Sequence, residues 1–411
     1  MKIAIIGGGA AGLMAAVSAA ESGAARVTLY EKNTRCGKKL SITGKGRCNV
    51  TNTASVPQME EKIPRGAKFL RSALYAFPPE ALRLFLEEAG VPLKVERGGR
   101  VFPVSDRAED VADALIQKAL SYENVSFRHH AVLDVKKSPE GFLIRDGEKE
   151  DLFDRVLIAT GGKSYPGTGS DGDGYRFAAL LGHKIEPLKP ALVPLVAKES
   201  FCREAMGLSL KNCALRVENR AGKTVYDAFG EMLFCHFGVS GPLVLSASSY
   251  LDFEKEKEYR AFIDLKPALD AETLDKRVLS DFGDNSNRDL INALNRLLPQ
   301  KIISPVLACG DLPPRKKVHL VTREERARLV SAVKNLPLTL VGTRPLSEAI
   351  VTRGGVSLKE VDPRTLESRL VPGLFFAGEV LDVDALTGGF NLQIAFSTGR
   401  LAGKSLSRED V

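Results

Sequence analysis

MKIAIIGGGAAGLMAAVSAAESGAARVTLYE, residues 1–31, decides the fold. Its spacing predicts a strand over Lys2–Ile6 and a turn Gly7–Gly8–Gly9–Ala10–Ala11–Gly12 of the form G-x-G-x-x-G. A helix from Ala10 to Ser22 and a second strand, Arg26–Tyr30, ending in Glu31 follow. Each part has a task in holding a dinucleotide. Gly7 permits the tight turn, Gly9 lets the backbone approach a pyrophosphate, and Gly12 lets helix and strand pack closely. The helix start at Ala10 and Ala11 offers unpaired N–H groups and a partial positive charge to that pyrophosphate. Glu31, nineteen residues beyond Gly12, is placed to accept hydrogen bonds from both ribose hydroxyls of an adenosine. A carboxylate there repels a 2′-phosphate, so the reading is NAD or FAD rather than NADP.

A secretory signal is the competing reading of the same stretch, because Met1–Lys2 precedes an apolar run with small residues near Ala19–Ala20. Its glycines make a poor signal helix, each costing about 1 kcal/mol against alanine. The strand that follows also needs the first one as a sheet partner.

The chain has 411 residues, enough for two or three domains with a sizeable core, and its 44% hydrophobic and 27% charged residues are ordinary for a globular protein. No apolar run approaches the roughly 20 residues that span a bilayer. The six cysteines, at positions 36, 48, 202, 213, 235 and 309, form no CxxC pair, and only His129–His130 cluster among the five histidines. Reduced thiols in a cytoplasmic protein without a metal are the expectation. The net charge of +7 is uneven: residues 32–71 hold ten Lys or Arg against Glu60 and Glu61. That surplus suits a second polyanion such as nucleic acid or a nicotinamide cofactor, or else a solvated basic face with no partner.

Further along, 36–52 reads as a glycine-rich basic loop, 79–89 and 108–121 as amphipathic helices, and GGRVFPVSD, 98–106, as a loop between them. Short strands at 126–127, 131–137, 141–145 and 155–160 read as an antiparallel meander leading into the buried VLIATGG, 156–162. From Pro187 the texture changes: 189–197 and 213–241 look like barrel or sandwich strands. Helical spacing then runs over 289–298 and 302–308, beside a second basic cluster of Arg315, Lys316, Lys317, Arg323, Arg326 and Arg328. Strand texture resumes at 338–341 and 349–352, and GLFFAGEVLDVD, 373–384, returns to the first texture before a helix near Asn391. Expected domains are a first unit of 1–188, a barrel part of 189–268, a helical insert of 269–335, last barrel strands in 336–355, and a return to the first unit over 356–411. A second G-x-G-x-x-G, Gly167–Gly172, lacks an adjacent strand and precedes Pro187 and Pro190, so no second nucleotide-binding fold is expected.

Three segments go beyond a generic dinucleotide fold: ITGKGRCNVTN (42–52), GEMLFCHFGVSGP (230–242) and GLFFAGEVLDVDALTGGFNLQIAFSTGRLAG (373–403). Together, in this order, they resemble the BaiN/RdsA family of NAD(P)/FAD-dependent oxidoreductases (YhiN-like flavoproteins). The resemblance implies an α/β fold, a two-dinucleotide-type FAD-binding Rossmann domain interrupted by a β-barrel-like domain that carries a small helical insert. It implies FAD as the tightly held ligand. Gly378–Glu379 would hold a ribityl hydroxyl or a pyrophosphate-side contact. Gly388–Gly389, with Asn391, Leu392 and Gln393, would open a helix toward the flavin N1/O2 edge. Gly44 would lie close to the ring, followed by Arg47, Cys48 and Asn49. Val132 would bracket the adenine, Thr160 and Gly161 would close over the adenosine side, and Lys32 and Lys38 would complete the cofactor site.

The chemistry implied is hydride transfer: NADH or NADPH reduces the flavin, which passes hydride to an electron-poor C=C while a protein acid protonates the other carbon. The family is associated with reduction of uridine to dihydrouridine in ribosomal RNA and of enone-type double bonds in bile-acid steroids. Some related proteins are assigned as aminoacetone-type amine oxidases. The basic surplus favours RNA over a steroid, and a non-enzymatic flavin-carrying RNA-binding factor is a further reading. Cys48, beside Arg47, and His236 are the proton-donor candidates, with Arg47 placed to lower the thiol's pKa. Arg100 is a candidate for holding a substrate carbonyl or phosphate, and Phe102, Phe234 and Phe237 are candidates for stacking on a base.

Overall fold

The computed structural model describes residues 1–23 and 25–408. They form two compact units, one from 1–191 with 346 onward and one from 192–345.

The first strand forms at Lys2–Ile6, and its alternation sorts the core. Ile3 and Ile5 join one apolar cluster, Ala4 and Ile6 another on the opposite face. Lys2–Ile6 pairs in parallel with Arg26–Tyr30 on one side and Arg155–Ile158 on the other. Leu374–Phe376 and Val125–Arg128 extend this five-stranded parallel sheet at its two edges. A sheet covered on both faces explains why Ile3–Ile6 and Val156–Ile158 are apolar without interruption. The first helix, Ala10–Ala20, is crossed by the C-terminal helix, Phe390–Leu406, at very short range. A Cβ at Gly399 would lie 2.3 Å from the Ala11 carbonyl oxygen, and one at Gly403 would lie 2.4 Å from that of Ala15. Small residues on both helices therefore bind the two ends of the chain together.

Several local readings are corrected. Residues 125–128 join the parallel sheet rather than the meander, which consists of Asp134–Ser138, Gly141–Arg145 and Glu150–Phe153. The last of these was hidden by its charge, as expected for an edge strand with one wet face. The expected loop at 98–106 contains half of a hairpin, Leu93–Glu96 with Arg100–Pro103, turning at Gly98–Gly99. Thr51–Asn52 pairs with its second strand. Within the basic stretch, Val56–Glu60 and Ala67–Ala76 are helical, the latter burying Leu70, Ala73 and Leu74 at helical spacing. The glycine-rich 36–52 begins as a helix, Lys38–Gly46, broken where Thr43 turns extended and Gly44 and Lys45 become left-handed.

The second unit contains a closed six-stranded barrel: Leu195–Ala197, Gly238–Ser240, Thr224–Cys235, Ser209–Glu218, Tyr259–Asp264 and Leu336–Thr343 in spatial order. Helices Ala271–Gly283, Leu290–Ala293, Gln300–Cys309 and Arg323–Lys334 share one apolar core with it. Of the segment 336–355, only Leu336–Thr343 is a barrel strand. Val351–Val356 pairs with Ile185–Ala191 in the first unit. Two left-handed glycines explain that departure, since a Cβ at Gly354 would lie 2.2 Å from the Pro187 carbonyl oxygen. Among the described residues no helix is long and apolar enough to cross a membrane.

Candidate functional site

The early turn behaves as its glycines require. Gly7 has φ +109°, and a Cβ there would sit 2.5 Å from the Ala159 carbonyl oxygen. A Cβ at Gly12 would meet the Gly7 carbonyl oxygen at 1.8 Å. Gly9 is different: it caps the first helix with φ −84°, and a Cβ there would meet nothing within 4 Å. Protein packing does not demand a glycine at position 9. An anion in close approach to the N–H groups of the helix start would.

Glu31 is held rigidly. Its Oε2 accepts from the Gly8 N–H at 2.9 Å, and its Oε1 accepts from the Asn33 N–H at 2.8 Å and Nδ2 at 2.7 Å. A carboxylate has about four acceptor sites, so one more donor can be accepted, where the sequence suggested two ribose hydroxyls.

The late turn meets the early one. A Cβ at Gly378 would lie 2.9 Å from the Ala11 side chain, and the Gly378 N–H donates to Thr398 Oγ1 of the C-terminal helix at 3.0 Å. Glu379 Oε1 accepts from the Thr352 N–H at 2.8 Å and the Ser164 hydroxyl at 3.1 Å, and Oε2 accepts from Lys39 Nζ at 2.8 Å. Here too one acceptor site is left. Lys39, Ser164 and Thr352 were not singled out from the sequence, because their only common feature is this shared carboxylate.

Residues 42–52 are docked on the second glycine pair. Asn52 Nδ2 donates to the Gly388 carbonyl at 3.0 Å, and a Cβ at Gly389 would lie 2.2 Å from the Thr51 carbonyl oxygen and 2.9 Å from Asn49 Oδ1. Asn49 Oδ1 is buried and has no hydrogen-bond partner among the described residues. Asn391 is spent on the loop before it, accepting from the Ala385 N–H and donating to the Ala385 carbonyl. Leu392 packs against the core. Gln393 is fully buried, accepting from Thr51 Oγ1 at 2.6 Å and donating to the Phe77 carbonyl and Ser397 Oγ, both at 2.9 Å. The side chains of Asn391 and Gln393 thus brace the helix start, leaving its backbone N–H groups to face a ligand.

Other expected residues sit as follows. Val132 is buried beside the meander. Thr160 Oγ1 is buried against Gly174, whose Cβ would lie 2.1 Å from it, and Gly161 is left-handed at φ +75°. Lys32 pairs with Asp171 and Asp173 at 2.6 and 2.8 Å, and Lys38 donates to Asn33 Oδ1 at 3.4 Å. Those two aspartates lie at the second G-x-G-x-x-G, where Gly172 caps only the short helix Asp173–Leu180 and no strand directly precedes the turn.

The expected Arg47–Cys48 pairing is overturned. Arg47 binds Glu96 and Asp106 and lies over the Phe102 ring at 4.3 Å. Cys48 is fully buried, and burial pushes its thiol up to about 12. The arginine's charge is consumed by carboxylates before it can stabilise a thiolate. Arg100, on the hairpin beside Thr51–Asn52, is about half exposed and donates to the Arg97 carbonyl at 3.1 Å. Phe102 is buried under Arg47, and Phe234 lies fully inside the barrel core, so neither presents a free face to a base. Phe237 is half-buried with Arg344 over its ring at 4.7 Å. His236 is exposed in the barrel unit and meets the Phe237 ring edge-on at 5.0 Å.

The basic stretch is less positive in space than in sequence. Six of its ten cations, Lys32, Arg35, Lys39, Arg47, Arg65 and Arg71, are in ion pairs, five of them with acids from outside 32–71. Lys316, Lys317 and Arg326 of the second cluster pair with Glu325, Asp289 and Asp275.

Three comparisons place this geometry. Residues 1–405 match the family described as HI0933-like protein Rossmann domain. A 3-dehydro-bile acid delta(4,6)-reductase of Clostridium scindens is 34% identical over 410 residues, covering 98% of each chain. A ribosomal RNA dihydrouridine synthase of Escherichia coli is 32% identical over 403 residues, covering 98% of this chain and 97% of the relative. Among solved structures, a variant of E. coli quinol fumarate reductase superposes with a TM-score of 0.51 at 19% identity, over 99% of this chain and 70% of that one, a likeness of fold alone. The chain belongs to the HI0933-like family, which includes the BaiN and RdsA reductases its motifs resemble, and is an FAD-dependent oxidoreductase.

Proposed function

We propose that this protein is an NAD(P)H-driven reductase of an electron-poor C=C, with uridine in ribosomal RNA as its substrate and a cytoplasmic location. The carrying observation is that relatives with two different substrates align along almost their whole length with this chain. A dihydrouridine synthase and a steroid reductase share one reaction, saturation of a C=C conjugated to a carbonyl, so this chemistry is the common denominator.

The residues fit FAD. The helix start behind Gly9 would take the pyrophosphate, Glu31 one adenosine ribose hydroxyl, and Glu379 one ribityl hydroxyl. Asn49 Oδ1, buried without a partner among the described residues and next to Gly389, would accept from a ring N–H. When bound, the group supplies hydride transfer through N5. The backbone N–H groups at the start of Phe390–Leu406 would stabilise negative charge on the reduced ring. The buried Cys48 thiol stays protonated and would pack under the ring, while Arg100 would serve the substrate as carbonyl ligand.

A small enone is the second reading, favoured by the internal neutralisation of the 32–71 cations and by the bile-acid relative. Anaerobic mixing with NADH or NADPH should bleach the flavin absorbance, and reoxidation by ribosomal RNA or by an unsaturated 3-keto steroid then separates the two substrates. No bleaching with either nicotinamide refutes the reductase reading. Peroxide from aminoacetone without nicotinamide would establish the amine oxidase instead.

A further inference from the structure

Glu379 is met by donors from three separate segments, all in the first unit. Lys39 comes from the helix before the flavin-proximal loop, Ser164 from the connection after Arg155–Ile158, and Thr352 from Val351–Val356. The three are themselves cross-linked. Lys39 Nζ donates to Ser164 Oγ at 2.8 Å, and the Lys163 and Ser164 N–H groups donate to Thr352 Oγ1 at 2.8 and 3.0 Å. Ser164 is wholly buried, and the Lys39 and Glu379 side chains are only 23% and 19% exposed. A Cβ at Gly162 would strike both Thr352 Oγ1 and Glu379 Oε1, at 2.5 and 2.6 Å, so the cluster closes tightly around this carboxylate.

A carboxylate this enclosed has few water partners, so its direction is set by the protein donors around it. Lys39 is the cation in contact with it. Two of the ammonium's three donors are used, on Glu379 and Ser164, so one can still be donated toward a ligand at the Glu379 carboxylate. Glu379 alone, on the short turn Gly378–Val380, has three side-chain torsions to freeze before it can receive a hydroxyl. The lock freezes them in advance, which is preorganisation of a binding group by its surroundings.

We propose that Lys39 is a positioning residue for the flavin: its ammonium holds the Glu379 carboxylate aimed, with Ser164 and Thr352 completing the lock. The inference rests on the FAD reading above and deepens it. It concerns how one hydroxyl of the polyol chain is gripped, and it assigns Lys39 no part in the redox step.

The test is a titration of FAD into the full-length apoprotein, read by flavin fluorescence, with apoprotein melting by circular dichroism as the check on folding. Lys39→Met should weaken FAD binding roughly tenfold, the loss expected for one charge-assisted hydrogen bond. Lys39→Arg should restore most of it. In a Glu379→Gln background, where no anion needs balancing, adding Lys39→Met should cost less than about twofold more. Ser164→Ala, which keeps the ion pair, should show a smaller loss than Lys39→Met. Unchanged affinity in Lys39→Met, or a tenfold penalty that persists beside Glu379→Gln, overturns the proposal. Wild-type protein that takes up no FAD would instead bring down the flavin reading, and this inference with it, before any variant is compared.

Discussion

Gly9→Ala separates the demands of the fold from those of the ligand. The residue has φ −84° and ψ −169°, which alanine adopts freely, and its Cβ would meet no protein atom within 4 Å. Two small effects on the apoprotein oppose each other. Alanine is a poorer helix cap than glycine by about 0.5–1 kcal/mol, while it reduces unfolded-state entropy by about 0.4–1 kcal/mol. Net stability should stay within about 1 kcal/mol of wild type. The bound pyrophosphate is affected quite differently, because a methyl group forced into a close backbone contact costs about 1–3 kcal/mol. That converts to a loss of roughly 5- to 150-fold in FAD affinity. Gly12→Ala is the contrast. Its Cβ would lie 1.8 Å from the Gly7 carbonyl oxygen, so helix and strand must part and stability should fall by about 3 kcal/mol. Apoprotein melting gives one axis and FAD titration the other. The chain has no tryptophan, so flavin emission is read without energy transfer from indole. If Gly9→Ala melts as early as Gly12→Ala, or binds FAD as tightly as wild type, the reasoning about this turn is wrong.

Other consequences are open to measurement. Burial lowers the pKa of His183 from its usual 6.5 despite the nearby Glu360. The unfolded chain therefore takes up a proton that the folded one resists. The contribution is complete above pH 6.5 and is lost as pH falls from there toward the folded value, so the melting temperature should drop between pH 7.5 and 5.5 and His183→Gln should flatten that slope. Cys36, Cys48, Cys202 and Cys213 are buried with thiols pushed up to about 12, whereas Cys309 is exposed. Iodoacetamide on native protein at pH 8 should modify Cys309 first, and early mass labelling of Cys48 would contradict the packing of residues 42–52. Gln393→Leu leaves the Phe77 carbonyl and the Thr51 hydroxyl without that partner. It should destabilise the protein by about 3 kcal/mol, and a melting temperature equal to wild type would refute the bracing role.

What could be read from residues alone followed the strength of local constraint. Residues 1–31 carry their own explanation: four apolar strand positions, three spaced glycines and an acid are each required within a few residues, and the strand, turn and helix formed there. Beyond that stretch, periodicity failed where charge masked it. Ala67–Ala76 is a helix inside a lysine-rich run, and Glu150–Phe153 is a strand with two acids. The site was legible where glycine had to be glycine, at positions 7, 12, 378 and 389. It was illegible where a side chain's partner lies tens to hundreds of residues away. Nothing near Lys39 announces Glu379, and nothing near Arg47 announces that Glu96 and Asp106 would claim its charge. Gln393 shows the same limit from the other side, since a helix-start position suggests a ligand contact while its amide is engaged with Thr51, Phe77 and Ser397.

The crossing of the first and last helices has a consequence for synthesis on the ribosome. Ala11 and Ala15 are made nearly 390 residues before Gly399 and Gly403, which close over them. At typical rates that interval takes roughly 20–80 s, and it includes the synthesis of the whole of 192–345. Throughout that interval the nascent amino-terminal strands wait with one face uncovered, a natural client for a holding chaperone. A message truncated before the final helix yields a polypeptide that never acquires its colour.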